Sequence, residues 1–343
     1  MQAPPVPLRL GTRRSTLAMS QSQLIADEIT RRTGRAVELV EITTYGDTSR
    51  EALAQIGGTG VFVNALREAL LDGKIDLAVH SLKDLPTAPP EGLALAAVPP
   101  REDPRDALVA RDGLGLAALV EECRAAGRPA RVGTGSPRRM AQLAAWARDR
   151  GAPLELVPIR GNVDTRIGFV TSGELDGVIL ATAGLRRIGR HTEATELLDP
   201  DLLLPAPGQG ALALECAAGN GELRARLGEL DDPATRAAVT AERALLAALE
   251  AGCSAPVGAL AVPAPSSAED TAPDAVSDDS NDSPARGNVS ELRLRAVVGT
   301  VDGGSQVQLS ATGSTADAAA LGRSLAAELL ARGAAGLMGE RVL

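Results

Sequence analysis

The sequence predicts an α/β protein that is built from two similar lobes and a smaller third domain. Apolar strands alternate with amphipathic helices in two successive units, which is typical of sheets with parallel strands and helices on their faces. Two proline-marked extended stretches, 93–103 and 202–216, flank the second unit. They indicate that the chain crosses twice between the lobes, and a cleft between lobes is a natural ligand site.

Both units are recognised from hydrophobic periodicity and from glycines that close helices, such as Gly34. The predicted elements of the first unit are 8–12, 16–33, 36–44, 61–73 and 75–79. Those of the second unit are 107–111, 114–126, 131–135, a helix that begins after Ser136, 154–159, a helix near 163–173, and 176–182. The resulting domains are 1–100 with 208–230, 101–207 and 231–343.

The third domain begins with a long helix predicted over 232–251. Asp232 is its expected N-cap, Pro233 its first residue, and Gly252 lies at its C-terminal end. The later predicted elements are strands at 257–262, 291–301 and 307–313 and a helix over 315–332. A stretch at about 264–288 is rich in Pro, Ser, Ala and Asp, and we expect it to be a disordered acidic loop because it cannot bury enough apolar surface.

The composition is that of a soluble globular protein. The chain has 343 residues, of which 44% are hydrophobic, and a formal net charge of −9. The negative charge and an aromatic content of 1% argue against a nucleic-acid binder, which needs basic patches and stacking platforms. The N-terminal MQAPPVPLRL lacks an apolar signal core, and no apolar run approaches a membrane span. We expect a cytoplasmic protein, and a monomer because no pattern resembles a dimer seam.

Three cysteines and two histidines offer no spacing that favours a zinc site or a disulfide framework, and we expect no bound metal. Cys123 and Cys216 fall within helix and strand patterns and are interpreted as packing residues. Cys253 follows a predicted helix end, where the helix dipole does not lower the pKa of a thiol. The residues alone therefore favour a buried structural role for Cys253.

Four arginine-bearing segments follow predicted strands at their carboxyl ends. Open α/β sheets bind ligands at that edge, and helix N-termini there offer free N–H groups to anions. The alternative is an arginine-rich surface without a function, since only two of the 35 basic residues are lysines. The segments are GTRRS (11–15), GSPRR (135–139), RGNVDTR (160–166) and AGLRR (183–187).

Arg138 and Arg139 are unusual for their position in the predicted helix. With Ser136 as N-cap and Pro137 as first residue, both arginines fall in the first turn, where the helix dipole disfavours cations. That placement costs roughly 0.3–1 kcal/mol, whereas one charge-assisted hydrogen bond contributes roughly 1.5–3 kcal/mol. A bound carboxylate or phosphate would therefore outweigh the unfavourable placement.

The segment HSLKD (80–84) follows an apolar strand and carries one of the two lysines beside an aspartate. Lys83 would bind a substrate carboxylate, and Asp84 would act as an acid, a base or a stabiliser of a cation. The alternative is a Lys–Asp turn on the surface without a chemical role.

Together these segments resemble the porphobilinogen deaminase family, whose members are also called hydroxymethylbilane synthases. The resemblance extends from Leu8 to about Arg332, and its most specific motifs are HSLKDLP, RGNVDTR and PGQGALALEC. The other matching segments, in the family's order, are TRRSTLA, GDTSREALAQIGGTGVFVNALREALL, REDPRDAL, GTGSPRR, LATAGLRR, TAERALLAALEAGCSAPVG and LAAELLARGA.

The resemblance implies two lobes with mixed sheets, like those of periplasmic binding proteins, and a small α+β C-terminal domain. It implies a transferase that joins four porphobilinogen molecules head to tail and releases ammonia at each addition. The product would be hydroxymethylbilane, which feeds heme and related tetrapyrrole biosynthesis. The implied cofactor is a dipyrromethane that a thioether attaches to Cys253, so this cysteine would be an anchor rather than a packing residue.

The resemblance also implies roles for particular residues, because every pyrrole ring of substrate and cofactor carries an acetate and a propionate. Asp84 would accept hydrogen bonds from pyrrole N–H groups, stabilise the positive charge that develops as ammonia leaves, and assist proton transfer. Besides Cys253, the residues that would bind the cofactor are Lys83, Asp84, Ser136, Arg138 and Arg139. Those that would bind the substrate are Arg13, Ser15, Arg160, Arg166 and Arg187.

Two features depart from the family pattern. Many members carry lysines in the loop that is AQIGGTGVF in this chain, where Gln55 and Thr59 stand, so substrate binding by loop cations is not predicted. Three glycines still give this loop freedom to close over the site. We expect the acidic stretch at about 264–288 to lie away from the cleft, because it would repel an anionic substrate.

Two other function classes share parts of this pattern. A small-anion-binding protein or ligand-sensing domain would have the lobes and the arginines, but it gives no reason for the third domain or for HSLKD. A phosphate-ester transferase would need a Mg²⁺-binding carboxylate cluster or a P-loop, and the sequence contains neither. A covalent cofactor on Cys253 would separate the transferase hypothesis from both alternatives.

Overall fold

Three β-sheets organise the chain. The computed structural model describes residues 6–42, 60–88, 90–252, 254–264 and 290–338. Two of the sheets have five strands each and belong to the two lobes, and the third has three strands. The predicted fold class, an α/β protein with two mixed sheets and a small α+β C-terminal domain, is confirmed. No helix in the described ranges is both long and apolar enough to cross a membrane.

The first lobe is built on a mixed sheet. Its strands are β1 (Leu8–Thr12), β2 (Val37–Glu41), β3 (Leu77–Ser81), β4 (Leu93–Ala97) and β10 (Leu212–Ala217), and its helices are α1 (Thr16–Thr33), α2 (Gly60–Leu71) and α7 (Gly221–Gly228). The strand order is β2-β1-β3-β10-β4. Strand β1 runs parallel to β2 and β3, whereas β10 runs antiparallel to β3 and β4.

The second lobe repeats this topology. Its strands are β5 (Asp106–Ala110), β6 (Ala130–Thr134), β7 (Leu154–Pro158), β8 (Gly177–Ala181) and β9 (Glu196–Leu197). Its helices are α3 (Leu116–Ala125), α4 (Pro137–Asp149), α5 (Val163–Thr171) and α6 (Thr182–Arg187). The strand order is β7-β6-β8-β5-β9, and the directions match the first sheet position by position. The two lobes are thus copies of one arrangement.

The repeat extends to single hydrogen bonds. Asp76 precedes β3 and accepts the backbone N–H of Arg9 at 2.7 Å. Asp176 precedes β8 and accepts the backbone N–H of Arg131 at 2.8 Å. Each aspartate therefore fixes the start of the middle strand of its sheet against the neighbouring parallel strand, which helps to set the register of the parallel pair.

The third domain packs two helices on an antiparallel sheet. Its elements are α8 (Pro233–Ala248), β11 (Val257–Pro263), β12 (Glu291–Gly299), β13 (Gln306–Ser314) and α9 (Ala318–Ala331). Leu245, Leu294 and Leu325 are fully buried in its core. The helices approach closely, since a Cβ added at Gly322 would lie 2.2 Å from the carbonyl oxygen of Ala241.

Two segments, 98–105 and 198–211, connect the lobes, as the proline-marked stretches predicted. They run side by side, and the backbone N–H of Glu102 donates to the carbonyl of Gly210 at 3.2 Å. Gly210 has a φ of +88°, and a Cβ there would lie 2.3 Å from the carbonyl oxygen of Glu102. Only glycine fits this close approach between the crossings.

A buried carboxylate on α8 ties both crossings to the third domain. Glu242 is fully buried and forms a bidentate pair with Arg101, with N–O distances of 2.7 and 3.0 Å. The same carboxylate accepts the backbone N–H of Gly208 at 2.7 Å and that of Ala261 at 2.9 Å. Arg101 also donates to the carbonyl of Gln209 at 2.8 Å. One side chain thereby joins the first crossing, the second crossing and β11.

Helix starts follow the predicted capping residues. Ser136 and Asp232 cap α4 and α8 with their side chains, and Gly34 closes α1 in the left-handed conformation. The long third-domain helix is shorter than predicted, because it ends at Ala248, and Glu250 takes a left-handed φ of +50° before Gly252 is reached. Helices α6 and α7 and the two-residue strand β9 were not predicted from the sequence.

Breaking the Glu242 pair should loosen all three domains at once. In a Glu242→Ala variant, Arg101 keeps a buried charge without its partner, and such a loss typically costs about 3–5 kcal/mol. We expect a clear fall in the midpoint of thermal unfolding. The control is Glu222→Ala, because Glu222 forms an exposed pair with Arg226 at 3.1 Å and exposed pairs contribute little. Equal midpoints for the two variants would contradict the assigned role of Glu242.

Candidate active site

The arginines at the start of α4 have a counter-ion inside the protein. Asp106, at the start of β5, is fully buried. Its two oxygens lie 2.8 Å from Arg138 Nη2 and 2.7 Å from Arg139 Nη2. Arg138 also donates to the carbonyl of Leu204 at 2.6 Å, and Arg139 donates to that of Ile179 at 2.8 Å. The unfavourable placement of the arginines is thus offset by a carboxylate of the same chain.

Asp106 is held in its ionised form. Burial by itself would raise the pKa of this carboxyl, but Arg138, Arg139 and a hydrogen bond from Gln209 hold it well below its usual range. One carboxylate cannot neutralise two guanidinium groups, however. The start of α4 therefore keeps an excess of positive charge.

Gln209 links the two lobes through this carboxylate. Its amide nitrogen donates to Asp106 at 2.9 Å and to the carbonyl of Pro104 at 2.7 Å. Its amide oxygen accepts a hydrogen bond from Lys83 Nζ at 3.2 Å. Gln209 is buried on the second crossing, within the PGQG motif. The motif carries part of the family resemblance, but no role was predicted for Gln209 from the sequence.

Lys83 and Asp84 lie on a short turn, Leu82–Asp84, that follows β3. Burial lowers the pKa of Lys83 to about 8; Asp84 and Asp106 oppose this shift, whereas Arg138 and Arg139 add to it. The side chain of Asp84 is exposed. The turn thus presents a lysine that faces the buried ion cluster and an aspartate that a ligand can reach.

Arg166 and Arg160 lie around α5. The Nε atom of Arg166 is buried and has no hydrogen-bond partner among the described residues, and the same is true of Arg138 Nε. Burial lowers the pKa of Arg166, and the charge of Arg139 lowers it further. Arg160, which precedes α5, is exposed. A buried guanidinium beside another cation is unfavourable unless an anion joins it, so this region fits a ligand with acid groups.

Arg187 ends α6 and reaches the second crossing, where its Nη2 donates to the carbonyl of Gly210 at 2.5 Å. Burial lowers its pKa to about 10, although the charge of Glu102 opposes this shift. The carbonyl of Arg187 accepts a hydrogen bond from the hydroxyl of Ser20 on α1. The two lobes therefore meet here.

Ser15 and Arg13 lie at the start of α1, the helix that carries Ser20. Ser15 is the N-cap of α1, and its hydroxyl accepts the backbone N–H of Ala18. Arg13 directly precedes this helix start and is half-buried. The N-terminal half of α1 therefore contacts the end of α6 through Ser20 and Arg187.

Most of the predicted site residues fall into two groups. Contacts or mutual charge effects connect Lys83, Asp84, Arg138, Arg139 and Arg166. Ser136 caps the helix that carries two of them. Arg187 lies at the contact between α1 and α6, and Ser15 caps α1. Cys253, Gln55, Thr59 and residues 265–288 of the acidic stretch lie outside the described residues.

The cations of this cleft fit the cofactor that the resemblance implies. Four basic side chains and one buried carboxylate leave net positive charge, and the Nε atoms of Arg138 and Arg166 are buried without a hydrogen-bond partner in the described ranges. A dipyrromethane carries four acid side chains on two pyrrole rings, which matches this chemistry. Cys123 and Cys216 are buried, as expected of packing residues.

Solved structures of other proteins align with the chain at low similarity. R. palustris Rpa4515 with adipate aligns with a TM-score of 0.40 and 12% identity, over 65% of this chain and 81% of that chain. The periplasmic binding protein STM4351 of Salmonella typhimurium aligns with a TM-score of 0.37 and 14% identity, over 68% of this chain and 94% of that chain. Values this low carry no information about function.

Sequence comparisons are far closer. The family model "Porphobilinogen deaminase, dipyromethane cofactor binding domain" matches residues 8–244, and "Porphobilinogen deaminase, C-terminal domain" matches 236–331. Porphobilinogen deaminase 1 of Streptomyces avermitilis is 67% identical over 97% of this chain and 98% of that protein. The enzyme of the same name from Streptomyces coelicolor is 64% identical over 97% and 98%. Since these matches span nearly the whole chain, it belongs to the porphobilinogen deaminase family, the hydroxymethylbilane synthases of tetrapyrrole biosynthesis, with a dipyrromethane as cofactor.

Proposed function

We propose that this chain joins four porphobilinogen molecules with Asp84 as its catalytic carboxylate and with the cations of the cleft as its carboxylate-binding groups. The observation that supports this most is the excess of buried positive charge around Asp106, beside the turn that carries Asp84. Porphobilinogen bears an acetate and a propionate, so a growing chain of pyrroles is a string of carboxylates. A cleft with more cations than anions matches such a substrate.

Asp84 would act on the positive charge of the reacting ring. Each addition forms a carbon–carbon bond, breaks the carbon–nitrogen bond of the aminomethyl group, and releases ammonia while a ring proton is lost. The Asp84 carboxylate would accept hydrogen bonds from pyrrole N–H groups, stabilise the cation as ammonia leaves, and take up or return the proton. A fixed negative charge in a partly dry cleft acts strongly on a developing cation.

The remaining site residues would divide between cofactor and substrate. When bound, the dipyrromethane supplies the pyrrole carbon to which the first substrate is joined. Lys83, Ser136, Arg138 and Arg139 would hold its acid groups, and Cys253 would carry the thioether. The residues proposed to bind substrate carboxylates are Arg13, Ser15, Arg160, Arg166 and Arg187.

The wider setting is part of the same proposal. We propose a cytoplasmic monomer that binds porphobilinogen and its polymer and has no nucleic-acid or membrane partner. Its domains would be 1–100 with 208–230, 101–207 and 231–343. In this division the third domain carries Cys253, and the first two supply the cations.

The covalent cofactor gives the first test. We expect the intact mass of the purified protein to exceed its sequence mass by two pyrrole units, and a Cys253→Ala variant to lack this adduct. The wild-type protein should release ammonia from porphobilinogen, whereas the variant should not. Wild-type protein that gains no adduct and releases no ammonia after incubation with porphobilinogen would overturn the proposed function.

Replacing Asp84 should separate chemistry from cofactor loading. In Asp84→Asn the shape is kept but the negative charge is lost, and we expect kcat to fall roughly 10²–10³-fold, as when one preorganised electrostatic group is removed. Rates are normalised to the loaded fraction, which intact mass gives. A loaded variant with wild-type kcat would remove Asp84 from the catalytic step.

The pKa of Lys83 predicts a pH dependence. Since this pKa is lowered to about 8, the ammonium loses its proton as the pH rises past that value and no longer attracts a carboxylate. In protein without cofactor, we therefore expect the rate of cofactor loading from porphobilinogen to fall as the pH rises through 8. Lys83→Arg keeps its charge to much higher pH, so its profile should lack this fall. Identical profiles for the two proteins would show that another group titrates.

A further inference from the structure

Arg243 connects the third domain to the turn that carries Lys83 and Asp84. It lies on α8, next to Glu242. Its Nη1 donates to the carbonyl of Leu85 at 3.0 Å and to that of Leu82 at 3.3 Å, and its Nη2 donates to the carbonyl of Pro86 at 2.7 Å. All three acceptors belong to the backbone of one short segment, 82–86.

The opposite side of this segment is held by the second crossing. Leu82 is fully buried, and its backbone N–H donates to the carbonyl of Ala211 at 3.0 Å. An added Cβ on Gly208 would lie 3.3 Å from Leu82 Cγ and 3.4 Å from the backbone nitrogen of Lys83. The segment is therefore clamped between α8 and the crossing, while Asp84 faces outward.

The bonding of Arg243 differs from that of the other α8 arginine that reaches the first lobe. Arg236 forms an ion pair with Asp231 at 2.7 Å. Arg243 forms no ion pair with a carboxylate in the described part of the chain; the hydrogen bonds of its guanidinium go only to carbonyl oxygens. Burial lowers its pKa, although the charge of Glu215 opposes this shift. Burying a guanidinium group that has no carboxylate partner costs free energy. This cost points to a role in holding the backbone of the turn.

We propose that Arg243 is a positioning residue for Asp84: by binding the carbonyls of 82–86, it fixes this turn relative to the domain that bears the cofactor cysteine. The inference rests on the proposed function, because it matters for catalysis only if Asp84 acts on the substrate. Cys253 follows α8 closely in the sequence. Helix α8, which leads to Cys253, thus also holds the turn that carries Asp84. The guanidinium group of Arg243 fixes the position of that turn relative to the helix.

The test uses full-length protein with its cofactor and the variants Arg243→Gln, Arg243→Lys and Arg236→Gln. Arg236 is the matched control, since it lies on the same helix and also bonds to the first lobe, at the carbonyl of Ala96, away from the turn. Amide hydrogen exchange across 82–86, intact mass, and kcat and KM per loaded molecule are measured for each. Lysine can donate to the same carbonyls, so it should restore part of the effect.

We expect Arg243→Gln to speed exchange at 82–86 and to lower kcat roughly 10- to 100-fold, since a shift of about 1 Å in a catalytic group has effects of this size. KM should change much less, because the lost interaction acts on the chemical step. Arg243→Lys should lie between Arg243→Gln and the wild type, and it carries the test if Arg243→Gln does not fold. Arg236→Gln should match the wild type in both readouts.

Unchanged exchange at 82–86 with unchanged kcat in Arg243→Gln would overturn the inference. An equal fall in kcat for Arg236→Gln would also overturn it, because the effect would then reflect domain docking in general. Failure of the proposed function would look different. Asp84→Asn would keep wild-type kcat, while the exchange data would still report whether Arg243 holds the turn.

Discussion

The contact between Glu242 and the two crossings is the constraint on which the cleft depends. In the described chain these two segments are the covalent connections between the lobes, and Arg101 and Gly208 belong to one each. A single carboxylate that binds both fixes their spacing, and it does so from a helix of the third domain. Gln209, the next residue after Gly208, can then carry hydrogen bonds to both lobes. The Glu242 carboxylate thus helps to position Gln209, and through it Lys83 and Asp106.

The site shows where local sequence is informative and where it is not. The capping role of Ser136, and with it the placement of Arg139 in a first helical turn, follows from neighbouring residues and was predictable. The partner of Arg139 is Asp106, 33 positions away, and Gln209 contacts that carboxylate across 103 positions. Contacts between residues so far apart in the chain produce no periodic pattern in the sequence. Arg243 was hidden in the same way, because it bonds only to backbone carbonyls, which every residue has.

In the fold, too, local sequence patterns predicted some elements, whereas contacts between distant residues determine others. Alternating apolar strands and helices predicted both lobes, because each strand buries side chains in a pattern that its own residues determine. The place of β10 between β3 and β4 could not be predicted, since a strand can pair with any edge of matching polarity. The end of α8 also differed from expectation: Glu250 rather than glycine takes the left-handed position. Tertiary contacts decide such ends more than intrinsic preference does.

The return of the chain to the first lobe to form β10 has a consequence for how the protein folds during its synthesis. All strands of the second lobe come from one continuous stretch, 106–197, so this lobe can complete its sheet as soon as that stretch has emerged. The first lobe is translated earlier but must wait, because the centre of its sheet lacks β10 until residues 212–217 are made. Until then β3 and β4 have open edges towards each other. The lobe that carries Lys83 and Asp84 is therefore begun first and finished second.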